Sequence, residues 1–491
     1  MPVNLLIEPR SRSEQLGLPM PDDQHAVSAC LPLWEHNIGY EEGDEAVHSK
    51  LQAAYPRFCL HPLVSELCEK SLHSDSLQGL PFISAQAAQR ACEYVKNAGV
   101  SGAQLRPFDG QSAVGVQVPH DSLPLLRQYW QHAGENVSSR VAELILREAA
   151  AGISETHERQ TIRERVAVIN DVTPEDVFLY PSGMAAVAAA WRTVTAALHR
   201  FTCQFGFPYV DTLKIQQRFP GAEHLFFPVG SNLDLDDLAR QCDSRPPAAV
   251  FCEVPTNPLL MTPNLARLRS LADEYNFLVV VDDTLAACGN VDVMPYADLV
   301  VTSLTKYFSG YGNVLAGSLV LNPRGAHYGA LRGQLAAEFE ETLADVDAAV
   351  LCRNSDDVSQ RTQAINHNAE QLADWLRTHD AVESVYYPKG DPAYEAIRKT
   401  NAGYGGLLSI VLKDAASQTP GVFDSLRVCK GPNLGTHFTL CCPYTILAHY
   451  DELDDVETHG VSRWLLRISV GCEPAEELIT RFEDALVIAS E

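Results

Sequence analysis

The sequence predicts an α/β fold: a large domain on a mostly parallel sheet, a smaller C-terminal α+β domain, and an N-terminal extension. Three observations predict it. From about residue 138 to 355, near-continuous Val, Ile and Leu runs alternate with helical stretches, as in a parallel sheet covered on both faces. Beyond that point a long helix gives way to fewer strands mixed with helices. Before about residue 125, turn formers dominate and clean strand patterns are few. The boundaries are therefore 1–125, 126–355 and 356–491, and 491 residues exceed what one simple core accommodates.

In the sheet domain the candidate strands are Val177–Tyr180, His224–Pro228, Ala248–Glu253, Phe277–Asp282, Leu299–Ser303 and Gly317–Leu321. The expected helices are Gly183–Leu198, Asn264–Glu274 and Ala336–Leu351. Ser138 reads as the cap of a helix whose apolar spacing runs on to Ile153. Further on, Gln360–Thr378 reads as a helix, and Leu407–Leu412 and Leu465–Val470 as strands; near the start, Ser84 to Ala98 reads as helical.

Composition excludes several functions. Hydrophobic residues make up 46% and charged ones 20%, as in ordinary globular proteins. A net charge of −26 disfavours nucleic-acid and anionic-membrane partners. The 13 cysteines form no Cys-x-x-Cys pair and are read as reduced thiols, which with no apolar stretch of membrane-spanning length implies a cytosolic protein without a structural metal.

Four predicted strand ends carry chemistry, and ligands of open α/β sheets bind at such ends. In Tyr180-Pro181-Ser182-Gly183-Met184, free amides of a helix start suit a phosphate, although an ordinary turn with a Ser cap reads the same. In Glu253-Val254-Pro255-Thr256-Asn257-Pro258, Asn257 sits in a loop fixed by prolines, where it meets either a ligand oxygen or its own turn. Asp282 closes an apolar strand, where a carboxylate is costly unless a cation or a helix end meets it. Ser303-Leu304-Thr305-Lys306 closes the next strand, and its Lys either leaves the core for solvent or acts as nucleophile and base. Together they form the parts that hold pyridoxal phosphate: a partner for the pyridine nitrogen, hydroxyls for the phosphate and a lysine for the Schiff base. Arg467, on the apolar run Trp464 to Gly471, suits a bidentate grip on a substrate carboxylate or a buried salt bridge.

Over residues 130 to 490 these motifs resemble the cystathionine γ-synthase family, the γ-class of fold-type I pyridoxal-phosphate enzymes. The resemblance implies a seven-stranded-type sheet. It assigns Ser182, Gly183 and Met184 to the phosphate turn, Asn257 and Asp282 to the cofactor ring, and Ser303 and Thr305 to the phosphate. Lys306 becomes the Schiff-base lysine and Arg467 the carboxylate-binding arginine. Tyr209, in Phe207-Pro208-Tyr209-Val210-Asp211-Thr212, matches the tyrosine that stacks on the ring and helps proton transfer. Asn433, in Asn433-Leu434-Gly435, falls where the family usually has Ser and is expected at the substrate. The runs Phe205 to Lys214, Pro443 to Tyr450, Gly39 to Gly43 and Tyr55 to Phe58 are of the fungal branch, to which the N-terminal extension then belongs.

The chain departs from the family in three places. Trp130-Gln131-His132-Ala133-Gly134 stands where a Tyr-x-Arg pair reaches the neighbouring subunit's phosphate, with His132 or Arg140 left as substitutes. Asp283 replaces a common Asn. Tyr311 stands where relatives have a small or acidic residue and is expected near the substrate. The implied reaction is γ-replacement on an O-acylated, most simply O-acetylated, L-homoserine through a vinylglycine-type intermediate, with L-cysteine as acceptor. A specialised enzyme adding a carbon or nitrogen nucleophile, and a cystathionine lyase, are the alternatives. The family implies a homodimer or homotetramer with active sites between subunits and amino acids as substrates.

Overall fold

A computed structural model describes residues 3–53, 60–219 and 223–488. The run Tyr55 to Phe58 lies outside the described residues. Among those residues, no helix is long and apolar enough to cross a membrane, and no cluster of His, Cys, Asp and Glu could hold a metal ion.

The N-terminal third contains a sheet that the turn-rich sequence concealed. Strands β1 (Leu77–Phe82), β2 (Gln104–Pro107) and β3 (Val114–Pro119) pair antiparallel in the order β1-β3-β2. Gly79 and Pro81 interrupt β1, and β2 is wholly exposed, so neither carries the alternation that marks a strand. The helix beside them, Ala85–Asn97, starts as expected, because the Ser84 hydroxyl accepts from the Ala87 amide.

The large sheet contains β4 (Val177–Tyr180), β5 (Thr202–Phe205), β6 (His224–Phe227), β7 (Ala249–Glu253), β8 (Leu278–Asp282), β9 (Leu299–Thr302) and β10 (Gly317–Leu321). Their order is β4-β10-β9-β8-β7-β5-β6, parallel except that β10 runs against both neighbours. The expected strands are present. The fully buried β5 is an addition: its Thr and Gln hid it, and Gln204 spends its polarity on the Gly206 carbonyl and the Gln216 amide. Two expected helices are shorter. The one starting at Ser139 ends at Leu146, before Glu148 turns to φ +55°. The one expected over Ala336–Leu351 is two, Tyr328–Glu338 and Asp345–Asn354, because Phe339 leaves to pack edge-on against Phe178 and Tyr180.

The C-terminal unit is a five-stranded sheet of β11 (Val382–Tyr386), β12 (Leu407–Leu412), β13 (Cys429–Lys430), β14 (Leu440–Pro443) and β15 (Leu466–Ser469), in the order β11-β12-β15-β14-β13. The helices Val358–Thr378 and Ala475–Ile488 cover it, and Ile365, Leu372 and Leu376 pack with Ile410, Ile468 and Phe482. The N-terminal extension divides between the two units. Tyr94 and Tyr129 pack on Phe219 of the large domain. Residues before 53 touch both units: the Leu31 amide donates to the Lys430 carbonyl and the Trp34 ring stacks on Trp464 at 5.6 Å, while the Val27 amide donates to the Gly312 carbonyl of the large domain. The Lys430 ammonium, fully buried, donates to the carbonyls of Pro32 and Asp424, so extension and sheet are fastened by backbone as well as by rings.

Trp34→Ala should therefore cost about 3 kcal/mol of unfolding free energy, read as a lower urea midpoint, because it empties a ring site between Trp464 and Phe423.

Candidate active site

The carboxyl ends of β4, β7, β8 and β9 open into a cavity that β15 and the helix Tyr444–His449 close from the C-terminal side. Its empty volume is about 1230 Å³, open solvent at the mouth included. Ser182, Gly183, Met184, Tyr209, Asn257, Asp282, Ser303, Thr305, Lys306 and Arg467 all line it. Residues drawn from almost 290 positions of sequence thus converge, most of them from the turns that follow strands of the large sheet and Arg467 from within β15.

Ser182 caps the helix Gly183–Leu198: its hydroxyl accepts from the Ala185 amide at 3.1 Å and donates to the Gly134 carbonyl at 2.7 Å. A Cβ on Gly183 would stand 2.7 Å from the Cβ of Ser303, so only glycine lets the two turns close on one another. Between them lies a helix N-terminus flanked by hydroxyls, a setting that favours an anion. The Ser303 amide donates to the Thr284 hydroxyl, and Thr305 exchanges hydrogen bonds with the Ala316 backbone, which fixes the strand-to-turn geometry ahead of Lys306.

Two carboxylates, the buried Glu253 and the half-buried Asp282, stand side by side in the wall, because β7 and β8 pair them in register. Burial raises Asp282 above the usual carboxylate range, opposed by hydrogen bonds from Thr284. Burial, and then the neighbouring Asp282, raise Glu253 well above its usual value, although it accepts from the Tyr209 amide at 2.5 Å. Asp283 faces the other way, accepts from the Thr302 hydroxyl at 2.6 Å, and is raised to about 7 by burial. Lys306 is buried, and its ammonium donates to Asn433 Oδ1 at 2.5 Å. Asn433 therefore reaches the site through the lysine, without lining the cavity itself. Arg467 lies over the Tyr444 ring at 4.7 Å, donating to the Pro432 carbonyl at 2.7 Å and to Asn257 Oδ1 at 3.4 Å. Asn257 in turn donates to the Tyr444 hydroxyl at 3.0 Å.

This arrangement fits pyridoxal phosphate. The Gly183–Ser303 cradle, which a Cβ would fill, would take the phosphate. Asp282, held by the Thr284 amide, would meet the protonated ring nitrogen, and that charge would return its carboxyl to the ionised form.

The structure departs from the sequence reading at the neighbours. Tyr311 does not line the cavity: between glycines at positive φ it turns away, its hydroxyl donating to Asp357 at 3.2 Å and its ring 4.7 Å from that of His437. The two residues offered in place of the Tyr-x-Arg pair are engaged within their own chain. His132 is buried against Asp211 at 2.8 Å, and Arg140 donates to the Asn313 carbonyl and to Asp347. Gln131, Asn136, Tyr444, Leu447 and Ala448 line the wall and had been assigned no part in it. Glu253 was quoted only as the start of the Asn257 loop; the parallel pairing of consecutive buried strands is the signal that puts it beside Asp282. Arg361 was also overlooked, although it shares a helical face with Ile365, Leu372 and Leu376 and so had to be buried.

Two measurements follow. Gly183→Ala forces the cradle apart, and an overpacking cost of 1–3 kcal/mol should weaken cofactor binding about tenfold, read by titrating the apoenzyme with cofactor. The folded Asp283 carboxyl holds its proton up to about pH 7, the unfolded one only to its ordinary value near 4. Folding then binds protons in that window, so the penalty of burying the charge grows as pH rises through it. Asp283→Asn should gain stability over the native chain at pH 8 and lose that advantage by pH 4, in urea midpoints taken at both.

The chain was compared with known proteins. Residues 153–487 match the family of Cys/Met metabolism PLP-dependent enzymes. The cystathionine gamma-synthase of Neurospora crassa is 33% identical, over 97% of this chain and 99% of that protein. The cystathionine gamma-synthase-like enzyme iboG1 of Amanita muscaria is 35% identical, over 96% of this chain and 97% of its own length. Among solved structures, cystathionine gamma synthase from Xanthomonas oryzae pv. oryzae, in complex with cystathionine, superposes with a TM-score of 0.58 at 23% identity, over 68% of this chain and 87% of that one, a likeness of fold. The chain belongs to the Cys/Met metabolism family, as a pyridoxal-phosphate-dependent enzyme of the cystathionine γ-synthase-like, transferase type.

Proposed function

We propose that this enzyme replaces the γ-substituent of an O-acylated L-homoserine, with O-acetyl-L-homoserine as donor. The observation that carries the reading is the meeting of Lys306, Asp282 and Arg467 in one cavity beside the Gly183–Ser303 cradle. Full-length similarity to a relative named cystathionine gamma-synthase supports it.

When bound, pyridoxal phosphate supplies an electron sink for negative charge at the substrate's α carbon. The protein's own groups do the rest. The guanidinium of Arg467, planar and held over Tyr444, grips the α-carboxylate and fixes which face of the substrate meets Lys306. The Tyr209 phenol takes a proton from the substrate ammonium. The amine of Lys306 removes the α proton, gives it up, and then removes a proton from the β carbon, so that the electrons of that Cβ–H bond expel the γ-substituent; protons return to the β and α carbons once the acceptor has added. The Cγ–O bond breaks, the acyl group leaves as a carboxylate, and the acceptor bonds to Cγ as it gives up its proton. Leu434, Leu447 and Ala448 keep this end of the cavity apolar and limit water there.

With L-cysteine as acceptor the product is cystathionine, as in the activity for which the N. crassa relative is named. A second reading is a specialised acceptor, carbon or nitrogen, and the 35% identity to an enzyme named only as synthase-like favours keeping it. We infer an assembly of two or four chains with the sites at subunit contacts, in the cytosol.

Mass analysis of products from holoenzyme and O-acetylhomoserine, with and without cysteine, tests the reading. Cystathionine made rapidly identifies cysteine as the acceptor. Slow release of 2-oxobutyrate with little cystathionine points to the other acceptor, and no release of acetate in either mixture contradicts the donor. Lys306→Ala should abolish turnover in the same assay, and substantial residual activity would remove Lys306 from its assigned role.

A further inference from the structure

The turn that follows Lys306 is held from behind by a buried cation. Arg361 lies on the helix Val358–Thr378, and its side chain is 2% exposed. One of its terminal nitrogens, Nη2, donates to three consecutive carbonyls, those of Tyr307 at 3.2 Å, Phe308 at 3.0 Å and Ser309 at 3.2 Å. The other terminal nitrogen donates to Asp357. Gly310, at φ +73°, makes room for it: a Cβ there would fall 2.1 Å from Arg361 Nε. Asn354 bonds the Ser309 hydroxyl at 3.0 Å, and the His437 amide bonds the Gly310 carbonyl at 2.7 Å. Residues 307–310 thus have almost no freedom, and the guanidinium is the group that all three carbonyls share.

We propose that Arg361 is a positioning residue for Lys306, setting through the 307–309 carbonyls where the lysine nitrogen stands and placing a fixed positive charge behind it. The proposal rests on Lys306 carrying the cofactor. A guanidinium is suited to the task because it is planar, always charged and bonds several acceptors at once; an ammonium supplies the charge without the fork. The groups facing Arg361 are Asp357, Tyr311, His437, Cys288 and Cys472. Burial pushes Cys288 up to about 12 and Cys472 up to about 11 and lowers His437, so near neutrality these three are uncharged and Asp357 is the one anion set against the guanidinium. The charges sharing the wall with Lys306 are Asp211, Asp282, Glu253 and Arg467.

Two variants of the holoenzyme separate fork from charge. In Arg361→Met, loss of the like charge should raise the pH midpoint of the cofactor's absorption change by about one unit. Its kcat should fall about tenfold or more, with the KM of the donor changed less, because the reacting nitrogen is misplaced rather than the substrate site. In Arg361→Lys the midpoint should stay at the native value while kcat still falls. Native midpoint and native kcat in both variants, whatever their melting temperatures, would overturn the proposal. If Arg361→Met does not fold, Arg361→Lys decides alone, a native kcat overturning the proposal and a tenfold fall at the native midpoint supporting it. Lys306→Ala is the control: if it keeps the Schiff-base band, the assignment of Lys306 fails, independently of Arg361.

Discussion

The site depends on one costly arrangement: two carboxylates, one buried and one half-buried, side by side at the ends of adjacent parallel strands. Asp282 and Glu253 sit in register, deep enough for burial to hold both above their usual range. Such a pair is tolerated in a folded protein when something else meets it, and here the cavity itself opens onto it. The cationic ring nitrogen of a bound cofactor would answer Asp282. The amide of Tyr209 answers Glu253, so the second carboxylate also fixes where the helix Val210–Arg218 begins.

The lysine is placed by equally specific means. Its turn is held through backbone carbonyls by Arg361, and its nitrogen is tethered to Asn433 of the C-terminal unit. Arg467 comes from that unit as well, so the two units must keep a fixed relation for the site to exist. The N-terminal segment, fastened to the C-terminal sheet by Trp34 and Lys430 and to the large domain at Gly312 and Asn313, supports that relation.

Much of this was legible in the sequence. Buried parallel strands have long apolar runs, and each run here ends in the residue that matters, so Ser182, Asn257, Asp282 and Lys306 stood out before their distances were known. Strand β5 was missed because its Thr and Gln break the apolar run, and Gln204 meets Gly206 and Gln216 only in three dimensions. The antiparallel sheet near the start was missed because glycine and proline sit inside β1. Tyr311 was misplaced because adjacency in sequence to a site says nothing of the direction in which a glycine-flanked turn sends its side chain. Arg361, Gln131 and Asn136 act from elements whose relation to the cavity no local pattern reveals.

The central claim is that this cavity holds its cofactor through Lys306. Borohydride reduction of the holoenzyme, followed by proteolysis and peptide mass mapping, tests it directly. The account predicts a pyridoxyl-phosphate adduct on the peptide containing Lys306. An adduct on Lys214, Lys399 or Lys430 instead, or a fully loaded holoenzyme that yields no lysine adduct at all, would contradict it.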